Sequence, residues 1–180
     1  MPAPVVRVVG PPGSGKTMLI TSLQEAFRVE GLRTASAVSR GPGLTAIAIS
    51  TGVRTTLERD VPLGYLAQVV AWIDPAVDVV LAEGYEEHGA PALELRPDGV
   101  EPFPMPEHER LAVLDPSELA AVFAERGPGY TGDAAERVLM DVLGRPAPQD
   151  RTPADGAQEP ATEEGGTGRL GRMIRRLRGD

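Results

Sequence analysis

The run Gly10-Pro11-Pro12-Gly13-Ser14-Gly15-Lys16-Thr17 is the first feature of the chain that could do chemistry. It satisfies G-x-x-x-x-G-K-[ST] at each fixed position, with an apolar strand pattern before it and a helical pattern after it. Glycine admits backbone conformations that turn successive N–H groups inward, and such a nest attracts anions. A helix opening directly after the loop adds its positive end. Lys16 is spaced to reach the outer phosphates of a nucleotide, and Thr17 to place a hydroxyl on Mg²⁺. The expected phosphate contacts are Gly10, Gly13, Ser14, Gly15, Lys16 and Thr17. The competing reading is a chance glycine-rich turn, and the two correct flanks argue against it.

Such a loop needs a carboxylate to complete its metal site. Two lie on the strand pattern at residues 77–83. Glu83, followed by Gly84, falls at the carboxyl end, where a parallel α/β sheet binds its ligands. Asp78 falls near the start, roughly 16 Å away at normal strand rise. The expected metal residues are therefore Thr17 and Glu83, with Asp78 read equally well as a solvated strand end. His88 and His108 stand in polar loops without a partner at ligand spacing and read as surface residues. No Ser-His-Asp or Cys-His arrangement can be drawn. The chain's single lysine is Lys16, so the Asn-Lys-x-Asp segment that reads the base in regulatory GTPases is absent. Within the loop arginine would not serve in place of Lys16, because a planar guanidinium does not fit between phosphates as a compact ammonium does.

These residues imply a particular set of elements around them. Residues 4–9 read as a buried strand and 16–30 as a helix ended by Gly31, with Leu19, Leu23, Ala26 and Phe27 at helical spacing. Strands follow at 34–38, 44–50 and 53–57, the last two joined by a turn at Thr51-Gly52. A helix is expected over 63–73, then strands at 77–82, 92–96 and 111–114. Asp115-Pro116-Ser117-Glu118 carries a helix cap, and Asp133 with Glu136 repeats that signal before a last helix ending near Gly144. The implied fold is α/β: a three-layer P-loop domain with a mostly parallel sheet over residues 1–144. Residues 145–168 have almost no large apolar side chain and read as a disordered linker. Residues 169–180 follow as a basic amphipathic tail, expected to be helical over 169–178 only when docked, with Leu170, Met173, Ile174 and Leu177 on one face.

Composition narrows the function classes. With no cysteine, disulfides and thiolate metal sites are excluded. Neither a signal peptide nor a membrane span is visible, so a cytoplasmic protein is expected. The net charge is −8, and residues 1–144 alone carry −9. An acidic body repels nucleic acid, so a mononucleotide must be captured by local geometry instead of a broad positive field.

The sequence also resembles the molybdopterin-guanine dinucleotide biosynthesis protein B family, small GTP-binding adaptors of molybdenum cofactor maturation. The likeness rests on GPPGSGKT with the helix MLITSLQEAFRVEGLR, on VDVVLAEGYEEHGAPALELRPDG, and on RLAVLD, over roughly residues 4 to 126. The resemblance implies GTP and Mg²⁺ as ligands, phosphate binding at Gly13, Ser14, Gly15, Lys16 and Thr17, and an acidic role for Glu83. It further implies a molybdopterin nucleotidyltransferase as partner, and it suggests a homodimer. The chain departs from the family after the second strand. There Ser39-Arg40-Gly41-Pro42-Gly43 replaces a longer segment with histidines and a Gly-Lys-Asp-Ser run. Glu86 and Ala92 stand where the family has lysines. With that segment gone, hydrolysis is expected to be slow, and Arg40 is the one arginine to weigh for the outer phosphate. The residues themselves leave GTP and ATP open. They also leave open a P-loop small-molecule kinase, or a scaffold whose nucleotide is only structural. A kinase needs an acceptor pocket and a mobile lid, and the proline-rich residues 97–110 do not read as one.

Overall fold

The computed structural model describes residues 2–41, 43–127, 131 and 133–145. Seven strands form one sheet in the order β4-β3-β2-β5-β1-β6-β7. They are β1 (Val5–Val9), β2 (Thr34–Ser39), β3 (Thr45–Ile49), β4 (Arg54–Leu57), β5 (Val79–Glu83), β6 (Ala92–Leu95) and β7 (Arg110–Leu114). β2, β5, β1, β6 and β7 run parallel, and β3 turns back antiparallel to both β2 and β4. The expected mostly parallel α/β sheet is therefore present. The helices are α1 (Lys16–Val29), α2 (Leu63–Ile73), α3 (Pro116–Arg126) and α4 (Asp133–Arg137).

Valine-rich runs make β1 and β5 strands buried on both faces, with Arg7 the one charge inside β1 and Glu83 at the end of β5. One face carries Val6, Val8, Leu81, Leu93 and Leu95. It is covered by Leu19, Leu23 and Phe27 of α1, Leu119 of α3 and Ala134 and Ala135 of α4. The other face carries Ala35, Ala37, Val80 and Ala82, covered by Leu63, Leu66 and Val70 of α2. The two helical layers are unequal. Beyond α2, the second face over β1 and β6 is closed by the loops at 84–91 and 96–109.

A buried ion pair seals that region. Arg7 projects from β1 between Ala82 and Ala92, its register partners on β5 and β6, and is 0% exposed. Its guanidinium donates to Glu109 Oε2 at 2.5 Å, to Glu87 O at 2.7 Å and to Ala90 O at 3.1 Å. Burial pulls the Arg7 pKa down, and the Glu109 carboxylate opposes that shift. Glu94 of β6, also buried, accepts from Arg110 Nε and from Phe103 N, both at 2.8 Å.

Some boundaries differ from the sequence expectation. β5 begins at Val79, because Asp78 is already engaged at the strand's amino edge, accepting from Arg33 N at 2.8 Å. Asp115 does cap α3, accepting from Ser117 N at 2.7 Å. Asp133 is the first residue of α4, where an outer cap was expected. The last helix widens to a π turn over Val138–Val142, closed by Leu143 N donating to Val138 O. The expected linker, after Arg145, and the expected basic helix lie outside the described residues.

Candidate functional site: a phosphate cradle at the carboxyl edge of the sheet

The loop between β1 and α1 sits at the carboxyl edge of the sheet, beside the end of β6. Gly10, Gly13 and Gly15 have φ of 146°, 77° and 87°, values L side chains rarely adopt. Gly10 has a second constraint: a Cβ there would stand 2.4 Å from the Leu95 carbonyl oxygen. The sequence places glycine where the chain turns and where two backbones meet.

The opening of α1 has the character of an anion site. Gly15 occupies its cap position, no side chain caps the helix, and its first turn holds no acidic residue. The first N–H groups of a helix lack intrahelical acceptors, so an incoming anion would complete them. Ser14 is buried, and its hydroxyl has no hydrogen-bond partner. A buried orphan hydroxyl is costly, and a phosphate oxygen is a partner it could take. Lys16 Nζ folds over the loop, donating to Pro11 O at 2.8 Å and Gly10 O at 3.1 Å. These neutral acceptors could yield to phosphate without leaving a charge unpaired.

Glu83, the last residue of β5, faces this loop. Thr17 Oγ1 donates to Glu83 Oε2 at 2.9 Å. The expected metal pair is thus adjacent, and β1 and β5 are direct neighbours with Val8 in register with Glu83. Among the described residues no cluster of His, Cys, Asp or Glu could hold a metal unaided. Mg²⁺ is usually bound by one or two protein groups together with substrate phosphates and water, and the Thr17 hydroxyl and Glu83 carboxylate are oxygen groups of that kind. The cradle and the Thr17–Glu83 pair therefore fit a Mg²⁺–nucleotide.

Gly84 holds Glu83 in place. Its φ is 80°, and a Cβ there would lie 2.7 Å from the Ser39 carbonyl. Tyr85 then turns its ring into the α2-side core, 6% exposed, with its hydroxyl unpartnered. Burial pushes the Tyr85 phenol up, helped by the charges of Glu87 and Asp60, while the nearby Thr45 hydroxyl pulls the other way. Glu87 accepts from Leu63 N at 2.6 Å and so caps α2. The segment after Glu83 is tied to β1, α2 and Glu109 together.

The remaining sequence candidates separate clearly. Asp78 lies at the opposite edge from the cradle and stabilises the entry to β2 through Arg33 N. Arg40 follows Ser39 at the carboxyl edge, and among the described residues its guanidinium makes no ion pair. His88 is half exposed and lies 3.7 Å from Glu109, and His108 is exposed on a 3₁₀ turn. Sequence reasoning missed Arg7, which braces the Glu83 loop. Its signal was a lone charge inside a run of valines.

Comparison with known proteins gives no match to a family model and none to a curated protein. Among solved structures, the chain is similar to MobB proteins. Bacillus subtilis MobB is 21% identical with a TM-score of 0.44, over 68% of this chain and 95% of that one. A MobB homologue from Bacillus stearothermophilus is 24% identical with a TM-score of 0.41, over 67% and 93%. A molybdopterin-guanine biosynthesis protein B is 24% identical with a TM-score of 0.43, over 78% and 98%.

Proposed function

We propose that the chain binds GTP with Mg²⁺ at the loop Gly10–Thr17 and works as a cytoplasmic adaptor in molybdenum cofactor biosynthesis. In that role it would assist the nucleotidyltransferase that forms molybdopterin guanine dinucleotide. The observation that carries the binding reading is the combination at the start of α1: an uncapped helix end, an orphaned Ser14 hydroxyl, and Lys16 over the loop. The pathway reading rests on the sequence resemblance over residues 4 to 126.

In this account Gly13, Ser14 and Gly15 wrap the phosphates. Lys16 leaves the loop carbonyls for the outer phosphate oxygens. Thr17 and Glu83 hold the ion, which when bound neutralises charge between the outer phosphates. Hydrolysis is weak or absent, because the short turn after β2 contains Arg40 as its only charged residue. A small-molecule kinase is disfavoured by the fixed loop at 96–109, which Glu94 and Arg110 pin to β6 and β7.

The test is equilibrium binding of GTP and of ATP, each with and without Mg²⁺, followed by turnover measurement. The account expects Mg²⁺-dependent binding favouring GTP, with negligible turnover. Rapid turnover of either nucleotide by the isolated protein would contradict the adaptor reading.

A further inference from the structure

The Thr17–Glu83 pair sets the direction in which a nucleotide would lie. Both residues stand on the β5 side of the loop, and an ion held there sits between the outer phosphates. β5 and β6 flank β1 on opposite sides. The inner phosphate, ribose and base would therefore leave the loop over β6 and β7. Neighbouring strands stand about 4.8 Å apart, so the end of β7 lies roughly 10 Å along the sheet edge from the end of β1. A nucleoside spans that distance. The loop already meets this side, since Gly10 packs against the Leu95 carbonyl at the end of β6. Arg96 N donates to Leu114 O at 2.9 Å and holds the ends of β6 and β7 level.

A cavity of about 430 Å³ follows β7 between α3 and α4. Its lining at the carboxyl edge is Leu114, Asp115, Glu118 and Leu119. Asp115 is engaged in capping α3. Bonds from the Ser117 hydroxyl and from the N–H groups of Ser117, Glu118 and Asp98 hold its carboxyl below the usual range. Glu118 is different. A glutamate three residues after a helix cap commonly reaches back to the cap's own N–H. Here its side chain is exposed, and among the described residues it accepts no hydrogen bond and forms no ion pair.

We propose that the base of the nucleotide lies at the carboxyl-edge end of this cavity, where Glu118 selects guanine over adenine. The inference rests on the nucleotide reading of the loop and adds what the loop cannot supply, because GTP and ATP present it with identical phosphates. Guanine carries its N1–H and 2-amino groups side by side, and one carboxylate accepts from both through charge-assisted bonds. Adenine turns the lone pair of its N1 to the same place, and a carboxylate repels it. Leu114 and Leu119 supply apolar surface beside the ring. Position matters as well as chemistry. A carboxylate next to the phosphates would repel them, whereas Glu118 stands beyond β6, on the side of the uncharged base.

Competition binding to the full chain with Mg²⁺ tests this, using GTP, ATP, inosine triphosphate, which lacks the 2-amino group, and xanthosine triphosphate, which has a carbonyl there. The wild type should bind GTP at least about tenfold more tightly than inosine triphosphate, the worth of one hydrogen bond to a charged group. Glu118→Gln should lose about 10- to 100-fold in GTP affinity on the same grounds. It should gain affinity for xanthosine triphosphate, because the new amide accepts from N1–H and donates to the 2-carbonyl. Glutamine suits the first turn of a helix, and unchanged circular dichroism would verify the fold. Asp98→Asn, after β6, and Asp133→Asn, elsewhere in the cavity, should keep the wild-type order. Equal wild-type affinity for GTP and inosine triphosphate, an unaltered order in Glu118→Gln, or the shift appearing in Asp98→Asn or Asp133→Asn instead would overturn the proposal and leave the phosphate cradle standing. A wild type that binds none of the four would overturn the cradle and this proposal together.

Discussion

Thr17 Oγ1 and Glu83 Oε2 lie 2.9 Å apart, joining the first turn of α1 to the last residue of β5. The contact ties the element that would hold phosphate to the element that would hold the ion. Removing the charge of Glu83 should therefore act on Mg²⁺ and spare the nucleotide. Glu83→Gln is expected to reduce the Mg²⁺-dependent gain in affinity by about 10- to 100-fold, the usual cost of losing a group that supports a metal. Affinity without Mg²⁺ should stay as it is. Titrations of wild type, Glu83→Gln and Asp78→Asn in the presence and absence of Mg²⁺ check this. The selective loss appearing in Asp78→Asn alone would mean the wrong acid has been assigned.

Gly84→Ala should damage the same site without touching its chemistry. A Cβ there meets the Ser39 carbonyl, and the positive φ adds strain. Backbone strain of this type costs on the order of 1–3 kcal/mol. We expect a lower denaturation midpoint together with weaker Mg²⁺-dependent binding, since Glu83 is the adjacent residue. A variant with wild-type values for both would show that Ser39 and Gly84 can separate freely.

The buried pair Arg7–Glu109 should behave asymmetrically. Arg7→Met leaves the Glu109 carboxylate buried and unpaired, at a cost of roughly 3–5 kcal/mol. Replacing both, as Arg7→Met/Glu109→Leu, should recover much of that loss. Urea denaturation of the single and double variants measures the difference. Equal destabilisation in the two would mean that the arginine's bonds to Glu87 O and Ala90 O outweigh the ion pair.

Tyr85 gives a prediction with a pH sign. Its phenol is raised by burial, so the folded state holds the proton more tightly than the unfolded chain does. The associated stability is present below the unfolded value of about 10 and is lost as pH rises from there through the folded value. Tyr85→Phe should flatten that alkaline loss. Near pH 7 it should be neutral or stabilising by up to about 1–2 kcal/mol, because it removes a buried hydroxyl without a partner. Thermal melts at neutral pH and above pH 10 test both parts.

The features legible in the sequence are those whose causes are local. The loop's shape could be read because its glycines act through backbone conformation and its motif through fixed spacing. β1 and β5 could be read because a strand buried on both faces is a run of valine and leucine. Glu83 was separable from Asp78 because position along a parallel strand decides which edge a residue serves. The role of Arg7 depends on Glu109, 102 residues away, and pairing at that distance leaves no local trace. The π turn after Arg137 likewise follows a helical pattern that sequence alone extends unbroken to Gly144.

The central claim is that the loop Gly10–Thr17 holds the phosphates of a guanine nucleotide, with Lys16 as its one side-chain cation. Equilibrium titration of GTP with Mg²⁺ onto wild type and Lys16→Ala tests it most directly, with circular dichroism to confirm that both are folded. The account predicts saturable binding by wild type and a loss of at least 100-fold in the variant, about 2.8 kcal/mol at a factor of ten per 1.4. Equal affinity of the two folded proteins for GTP would contradict it.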